Sequence, residues 1–526
     1  MSNILLILYP TQLFEYKYIE KIYSYSESNI KPKSFNIILV EHPYFFTKFL
    51  YHKMKLILHR SSMKNYFDLI SKKKLNVKNT QYFQHNQIDK IDDYIKTKSI
   101  DEIRFFNPIE QELIDQILNN QIYKTIPKLI FPSPYFLNST KPGTNKEIYE
   151  NLGGLRHDLF YKSQRIKYNI MVHKVPKSDD KYIPEGTKWS FDTENRKPFE
   201  STQTEPDILN LKSNTRMKYL NEAIDYVEKN FPKHYGLLNL DNFIYPINRN
   251  EALKWLEYFI SKKLDNFGKY EDALSSKIKF GFHSLLSPLT NIGLLTPLDI
   301  IEHVNKYKKN IASKEGFIRQ VIGWREYCFF TYELFKKELE LSSLYMGNKF
   351  SIPKYVWDSQ TQIPPIDNIL KNLSTNGYSH HIERLMGIGN FLILIETNPK
   401  EIYNWFQTMY IDAYDVFMIP NIYGMLSYGK LTEKSHMMTR PYFASSNYLM
   451  KMSDYKSSDS VQIDNIKYKW DDILDSLYWT HVNKYSNEFK KIYATSSAVS
   501  RFNNFDSEKK KNILRLANIY KNWIHK

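Results

Sequence analysis

The stretch Phe317-Ile318-Arg319-Gln320-Val321-Ile322-Gly323-Trp324-Arg325-Glu326-Tyr327 sets two arginines, a glutamine and a tryptophan among apolar residues on what reads as a helix. An arginine can fork onto a phosphate, and a tryptophan can stack on a flat ring. Taken alone, core packing plus a surface ion pair accounts for the same residues at least as well. Upstream, His283-Ser284-Leu285-Leu286-Ser287-Pro288 places two hydroxyls and several backbone N–H groups in a compact turn where a helix begins. Such a turn can hold a pyrophosphate, because free N–H groups and the helix dipole favour anions. An ordinary N-cap with Pro in the first helical turn has the same appearance.

Toward the N-terminus the pattern changes. Asn3 to Tyr9 and Ser34 to Val40 are short apolar runs bounded by turn formers, and Lys53 to Ser71 has helical spacing. Alternation of strands and helices predicts an α/β domain with a parallel, Rossmann-like sheet over residues 1–135. Pro132, Pro134, Pro142 and Gly143 open a linker, and residues 136–214 read as an irregular connector. From 215 to 526 the pattern predicts a large all-α domain, with helix-period stretches at Met217 to Asn230, Arg249 to Phe267 and Glu401 to Tyr410. No internal repeat is visible, and Lys509-Lys510-Lys511 reads as a solvated helix face.

Length and composition agree with two domains: 526 residues exceed one ordinary core, and 42% hydrophobic with 15% aromatic residues exclude a disordered chain. Seventy-three Lys and Arg against 57 Asp and Glu leave +16, a surface that attracts polyanions such as nucleic acid. Part of that excess can be codon bias, since Lys, Asn, Ile and Tyr are all abundant. The single cysteine, Cys328, excludes an intramolecular disulfide and any site built from several thiolates. No run is long and apolar enough for a membrane span, and Met1 to Pro10 reads as a strand rather than a signal peptide. The expectation is a soluble intracellular monomer, cytoplasmic, or nuclear or viral if the source is a eukaryote or its virus.

Five segments in order carry a resemblance: Phe267-Gly268-Lys269-Tyr270-Glu271-Asp272-Ala273; His283 to Pro288 with Asn291-Ile292-Gly293-Leu294-Leu295; Phe317 to Tyr327; His380-His381-Ile382-Glu383-Arg384-Leu385-Met386 with Gly389-Asn390-Phe391; and Asp412-Ala413-Tyr414 with Pro420-Asn421. Together they resemble the FAD-binding half of the photolyase/cryptochrome family, in particular its prokaryotic (6-4) photolyase and iron–sulfur cryptochrome branch. Lys188 to Lys197 is similar to that branch's interdomain signature, and the N-terminal domain matches loosely through Gln12-Leu13, Glu41, His52-Lys53 and Lys55-Leu56.

The resemblance implies a bent FAD in the helical domain. Ser284, Leu286 and Ser287 would contact its phosphates with Asn291 nearby, while Arg325 and Asp412 would hold other polar parts. His380 and His381 would face a lesion pocket, His381 as proton donor with His380 positioning it; histidine suits this because its ordinary pKa of about 6.5 makes both protonation states accessible. Tyr442 matches a lesion-pocket residue, and Trp405 and Trp357 match an electron relay. Indole packing in the core explains the two tryptophans as well.

The departures are as informative. The branch's cluster needs four cysteine thiolates, and by register those positions fall near Pro365, Lys456, Asp459 and Asp472, so no iron–sulfur cluster is expected. Met418 stands where a carboxylate or amide usually faces the flavin N5, Glu383 where Gln is usual, and Phe406 where Tyr is usual. Pro10-Thr11-Gln12 replaces Gly-Asp-Gln, which leaves a ribityl-lumazine antenna open. The leading reading is a light-driven lyase passing an electron from reduced FAD to a pyrimidine photoproduct in UV-damaged DNA, the (6-4) product favoured over the cyclobutane dimer. A cryptochrome-like photoreceptor that binds FAD without repair is the alternative, and a flavin-free nucleic-acid-binding relic a third.

Overall fold

The structure, a computed structural model, describes residues 2–25, 32–73, 77–119, 125–176, 181–237, 242–432 and 435–526. Five parallel strands, β1 (Asn3–Leu8), β2 (Ser34–Val40), β3 (Val77–Phe83), β4 (Glu102–Phe106) and β5 (Lys128–Phe131), lie in the order β3-β2-β1-β4-β5. Ile4 to Leu8 and Ile37 to Val40 are buried without interruption, as a sheet covered on both faces requires. This is the parallel α/β architecture read from the sequence. The strand order reverses between β1 and β4, the place where open sheets tend to bind ligands. Here Gln12 bridges that crevice: its amide donates to the Phe106 carbonyl (2.9 Å) and accepts from the Tyr9 N–H (3.2 Å).

Helix α1 (Lys53–Ser71) spans the predicted residues, and the His52 ring caps it by accepting from the Met54 N–H. It is buried even at Lys55, His59 and Arg60, because the helical region covers the side turned from the sheet. Lys55 donates to the Ala413 carbonyl (2.5 Å), and His59 hydrogen-bonds the Tyr414 hydroxyl (2.7 Å). Burial draws the Lys55 ammonium down to about 7, with Asp412, Glu110 and Asp415 opposing. Arg60 pairs with Glu41 and Glu222, tying α1 to α2 (Asn214–Asn230).

The stretch expected to be irregular holds two helices (Thr144–Leu152 and His157–Lys167) and a two-stranded antiparallel pair. The helix expected from Arg249 to Phe267 is two, Arg249–Lys262 and Leu264–Tyr270. They part at Lys263, whose buried ammonium donates to the Gly281 carbonyl (2.9 Å). The short pairs Lys430–Thr432 with Ser435–His436 and Val461–Ile463 with Ile466–Tyr468 add a little strand to this mainly helical region. Where the cluster thiolates would fall, the backbone is knitted together: the buried Trp470 indole donates to the Lys456 carbonyl (2.9 Å), Ser460 to Gln362 (2.9 Å) and Tyr520 to Thr361 (2.7 Å). Among the described residues, no group of three or more His, Cys, Asp or Glu is placed to hold a metal ion, and no helix is long and apolar enough to cross a membrane.

Candidate functional site: a two-lobed cavity walled by π-helical turns

Three segments of the helical region widen from α- to π-geometry: Arg319–Arg325, Glu383–Gly389 and Ile419–Leu426. All three line one cavity, as π-bulges often do at functional sites. The extra residue in each turn redirects neighbouring side chains inward. Glycine permits the tight backbone this needs: a Cβ on Gly389 would come within 2.6 Å of the Arg384 carbonyl oxygen. The cavity has a wide lobe of about 420 Å³ and a narrow lobe of about 250 Å³, joined through Ser284, Ser287, Trp324, Arg384, Asp412 and Met418. That size and its mixed apolar and polar walls suit a cofactor-scale ligand.

The narrow lobe gathers all seven residues read from the sequence as cofactor-binding: Ser284, Leu286, Ser287, Asn291, Arg325, Asp412 and Met418. Asp412 is the hub. It takes both guanidinium nitrogens of Arg384 (2.9 and 3.0 Å) and the Ser287 hydroxyl (2.5 Å), while its carbonyl accepts from Asn291 (2.8 Å). Arg384 also donates to the Ser379 carbonyl (2.7 Å) and lies over the Tyr410 ring at 4.2 Å. The carboxylate raises the Arg384 pKa against the opposing effect of burial. Arg325 is held by Asn291 and the Tyr135 carbonyl, but its buried Nε has no partner. An unsatisfied guanidinium N–H on a cavity wall is what a phosphate oxygen would satisfy.

In the wide lobe His381 is exposed, but to the cavity, where it stands with Arg196, Glu271, Arg319, Gln320 and Tyr442. Desolvation by the surrounding cavity walls, then the cations Arg384 and Arg196, bring its imidazole down to about 4, so it is neutral at neutral pH. His380 does not join it at the wall. Its ring is buried and stacks on His283 at 4.4 Å, and its backbone N–H donates to Glu383 (3.1 Å), which makes it a supporting residue rather than a contact group. Burial lifts the Glu383 carboxyl to about 8, so it is a neutral acid near pH 7 and offers a donor much as Gln does. Glu271 is raised to about 7, again by burial, with the cations Arg319 and Arg196 opposing.

Trp405 and Trp357 lie behind the wall. Trp405 is buried beside Phe406, a lining residue, and its ring is 6.2 Å from that of Trp357. The two indoles thus neighbour each other directly, without the tyrosine that Phe406 replaces. Cys328 lines the narrow lobe as a buried thiol raised to about 12 by desolvation, so it carries no thiolate chemistry.

Arg384 is a lining residue that the sequence motifs did not single out. The signal is an arginine set among Ile382, Leu385 and Met386, an apolar stretch in which a guanidinium calls for a carboxylate partner. Arg196, Gln320 and Trp324 line the cavity as well, each from within one of the sequence motifs. The unpaired Arg325 N–H, the serine turn and the flat Trp324 face fit a phosphate-bearing planar cofactor such as FAD.

Comparison with known proteins agrees with this geometry. A family model described as deoxyribodipyrimidine photo-lyase-related protein matches residues 19–245. A (6-4) photolyase from Agrobacterium fabrum is 33% identical over 344 residues, a match that spans 64% of each chain. Among solved structures, a bacterial class III photolyase from Agrobacterium tumefaciens superposes with a TM-score of 0.54 at 14% identity, over 99% of this chain and 98% of that one. A cryptochrome from Synechocystis sp. PCC6803 does so with a TM-score of 0.53 at 14% identity, over 83% and 84%. A parallel α/β region docked on a helical region that holds a cofactor-sized cavity is the photolyase-like class of fold. The chain is similar in sequence to photolyase-related proteins over part of its length and shares the photolyase/cryptochrome fold.

Proposed function

We propose that this chain binds FAD in the two-lobed cavity and uses it for light-driven electron transfer to a pyrimidine photoproduct in DNA, the (6-4) product first. The observation that carries the reading is the meeting, in one cavity, of the serine turn and Arg325, the Arg384–Asp412 pair, and His381 with Tyr442. Light-excited reduced FAD supplies the electron. The residues do the rest. Ser284, Ser287, Leu286 and Arg325 bind phosphate oxygens. Arg384 and Asp412 hold the polar edge of the flat ring, with Asn291 fixing Asp412 from behind. Trp324 and Met418 cover the ring, and Trp405 with Trp357 returns electrons to the site.

A damaged base is easier to flip out than an intact one, and the wide lobe is where it would enter. Arg196 at that lobe would meet the backbone phosphate, and the +16 chain would add salt-dependent affinity. A phosphate beside Arg196 would also offset the smaller of the two cations that add to desolvation in holding the His381 imidazole down. Domain limits at residues 135 and 214 belong to this reading, and it takes the flavin alone as chromophore, without a lumazine. One observation favours the photoreceptor alternative: the Met418 thioether on the cavity wall offers no acid or good acceptor. Illumination of reduced protein with oligonucleotides carrying a (6-4) product or a cyclobutane dimer separates the readings. Light-dependent restoration of the first supports (6-4) repair; restoration of neither supports the photoreceptor.

A further inference from the structure

The ring of Tyr235 stacks on Trp357 at 4.4 Å with planes 18° apart, outside the pair of indoles already described. We propose that Tyr235 is the outer terminus of a three-member electron relay, Tyr235–Trp357–Trp405, ending at the cavity wall; this rests on the flavin reading above. Three observations carry it. The rings form an unbroken series, 4.4 Å and then 6.2 Å between centroids, and Trp405 adjoins the lining Phe406. Exposure rises outward, from buried Trp405 to half-buried Trp357 and Tyr235.

The outer stack is also held rigid. Lys53 donates its N–H to the Tyr235 carbonyl (2.8 Å) and Leu237 donates to Ser374 (3.0 Å). Gly236 between them has φ +97°, and a Cβ there would come within 2.3 Å of the His52 ring. A stack on a fixed turn keeps the gap between rings, and so the electronic coupling, constant.

Trp405 gives one electron to photoexcited oxidised flavin, Trp357 refills Trp405, and Tyr235 refills Trp357. The Trp405 indole nitrogen is buried without a hydrogen-bond partner, so its proton has no acceptor and the hole moves on. At half-buried Tyr235 the phenol proton leaves to water with the electron, and the neutral tyrosyl radical that remains traps the hole far from the flavin. A thiol or similar external reductant then returns one electron, and water one proton, to Tyr235.

The test is flash illumination of the FAD-loaded full chain, oxidised at the start, followed by transient absorption and electron paramagnetic resonance. Wild type should show a tryptophan radical that gives way to a tyrosyl radical. Tyr235→Phe keeps the stack and removes only the hydroxyl; it should lose the tyrosyl signal while the tryptophan radical still forms and decays by recombination. An undiminished tyrosyl signal in Tyr235→Phe, or none in wild type despite a tryptophan radical, overturns the assignment and leaves the indole pair standing. Absence of any tryptophan radical overturns both the assignment and the relay it extends.

Discussion

Replacing Arg384 with Met tests how the cavity is held open. The guanidinium makes three hydrogen bonds, two to Asp412 at 2.9 and 3.0 Å and one to the Ser379 carbonyl at 2.7 Å, and it covers the Tyr410 ring. Asp412 keeps only 5% of its side-chain surface exposed and Arg384 16%. Removing one partner of a buried pair leaves an uncompensated charge, which costs about 3–5 kcal/mol. Arg384→Met should therefore lose stability on that scale in urea unfolding of the flavin-free protein. The Asp412 carboxylate, now without its fork and held only by the Ser287 hydroxyl, should lose its fixed orientation, and FAD affinity should fall by an order of magnitude or more on titration. The double variant Arg384→Met/Asp412→Leu should recover much of the stability but not the affinity, because the stranded charge is gone while the polar edge is still lost. A loss below about 1 kcal/mol in the single variant, as for an exposed ion pair, would refute the reasoning.

Other perturbations probe the remaining groups. Glu383 stays protonated in the fold up to about pH 8 while the unfolded carboxyl ionises near 4.5, so the folded state holds the extra proton between these values and wild-type stability falls as pH rises. Glu383→Gln should gain on wild type by about 1.4 kcal/mol per pH unit across that window and level off above it; a pH-independent gap in urea titrations would mean that Glu383 is ionised in the fold. His381→Ala should abolish (6-4) repair, where general acid help is worth about 10²–10⁴ in rate, while FAD content and damaged-DNA affinity persist. Because the free imidazole sits near 4, wild-type repair should speed up as pH falls from 8 to 5, and a flat profile would remove the imidazolium from the rate-limiting step. Trp405→Phe should bleach its flavin far more slowly under light with external reductant, and a wild-type rate would take Trp405 out of the path.

Much of this was legible in the sequence for physical reasons. The continuous apolar runs at Ile4 to Leu8 and Ile37 to Val40 have one good solution, a covered parallel sheet, and α1 appears at the residues its spacing marks. The seven residues that the resemblance marked for a cofactor all line the narrow lobe, because the separate segments that carry them converge there. What was not legible depends on contacts between distant segments. Periodicity cannot foresee that a helix parts at Lys263, whose ammonium is buried against the Gly281 carbonyl, nor that three helices widen to π-geometry around a cavity. The roles of His380 and His381 look interchangeable in sequence; the His283 stack, a contact across about a hundred residues of chain, takes one of them out of the cavity wall.

The most direct test of the account is the chromophore itself. The chain, purified from flavin-replete cells or reconstituted with FAD and then denatured, should release a stoichiometric amount of FAD, and Ser287→Trp, which fills the narrow lobe, should release almost none. A wild-type chain that folds and stays colourless in the presence of excess FAD would contradict the central claim that this cavity is a flavin site.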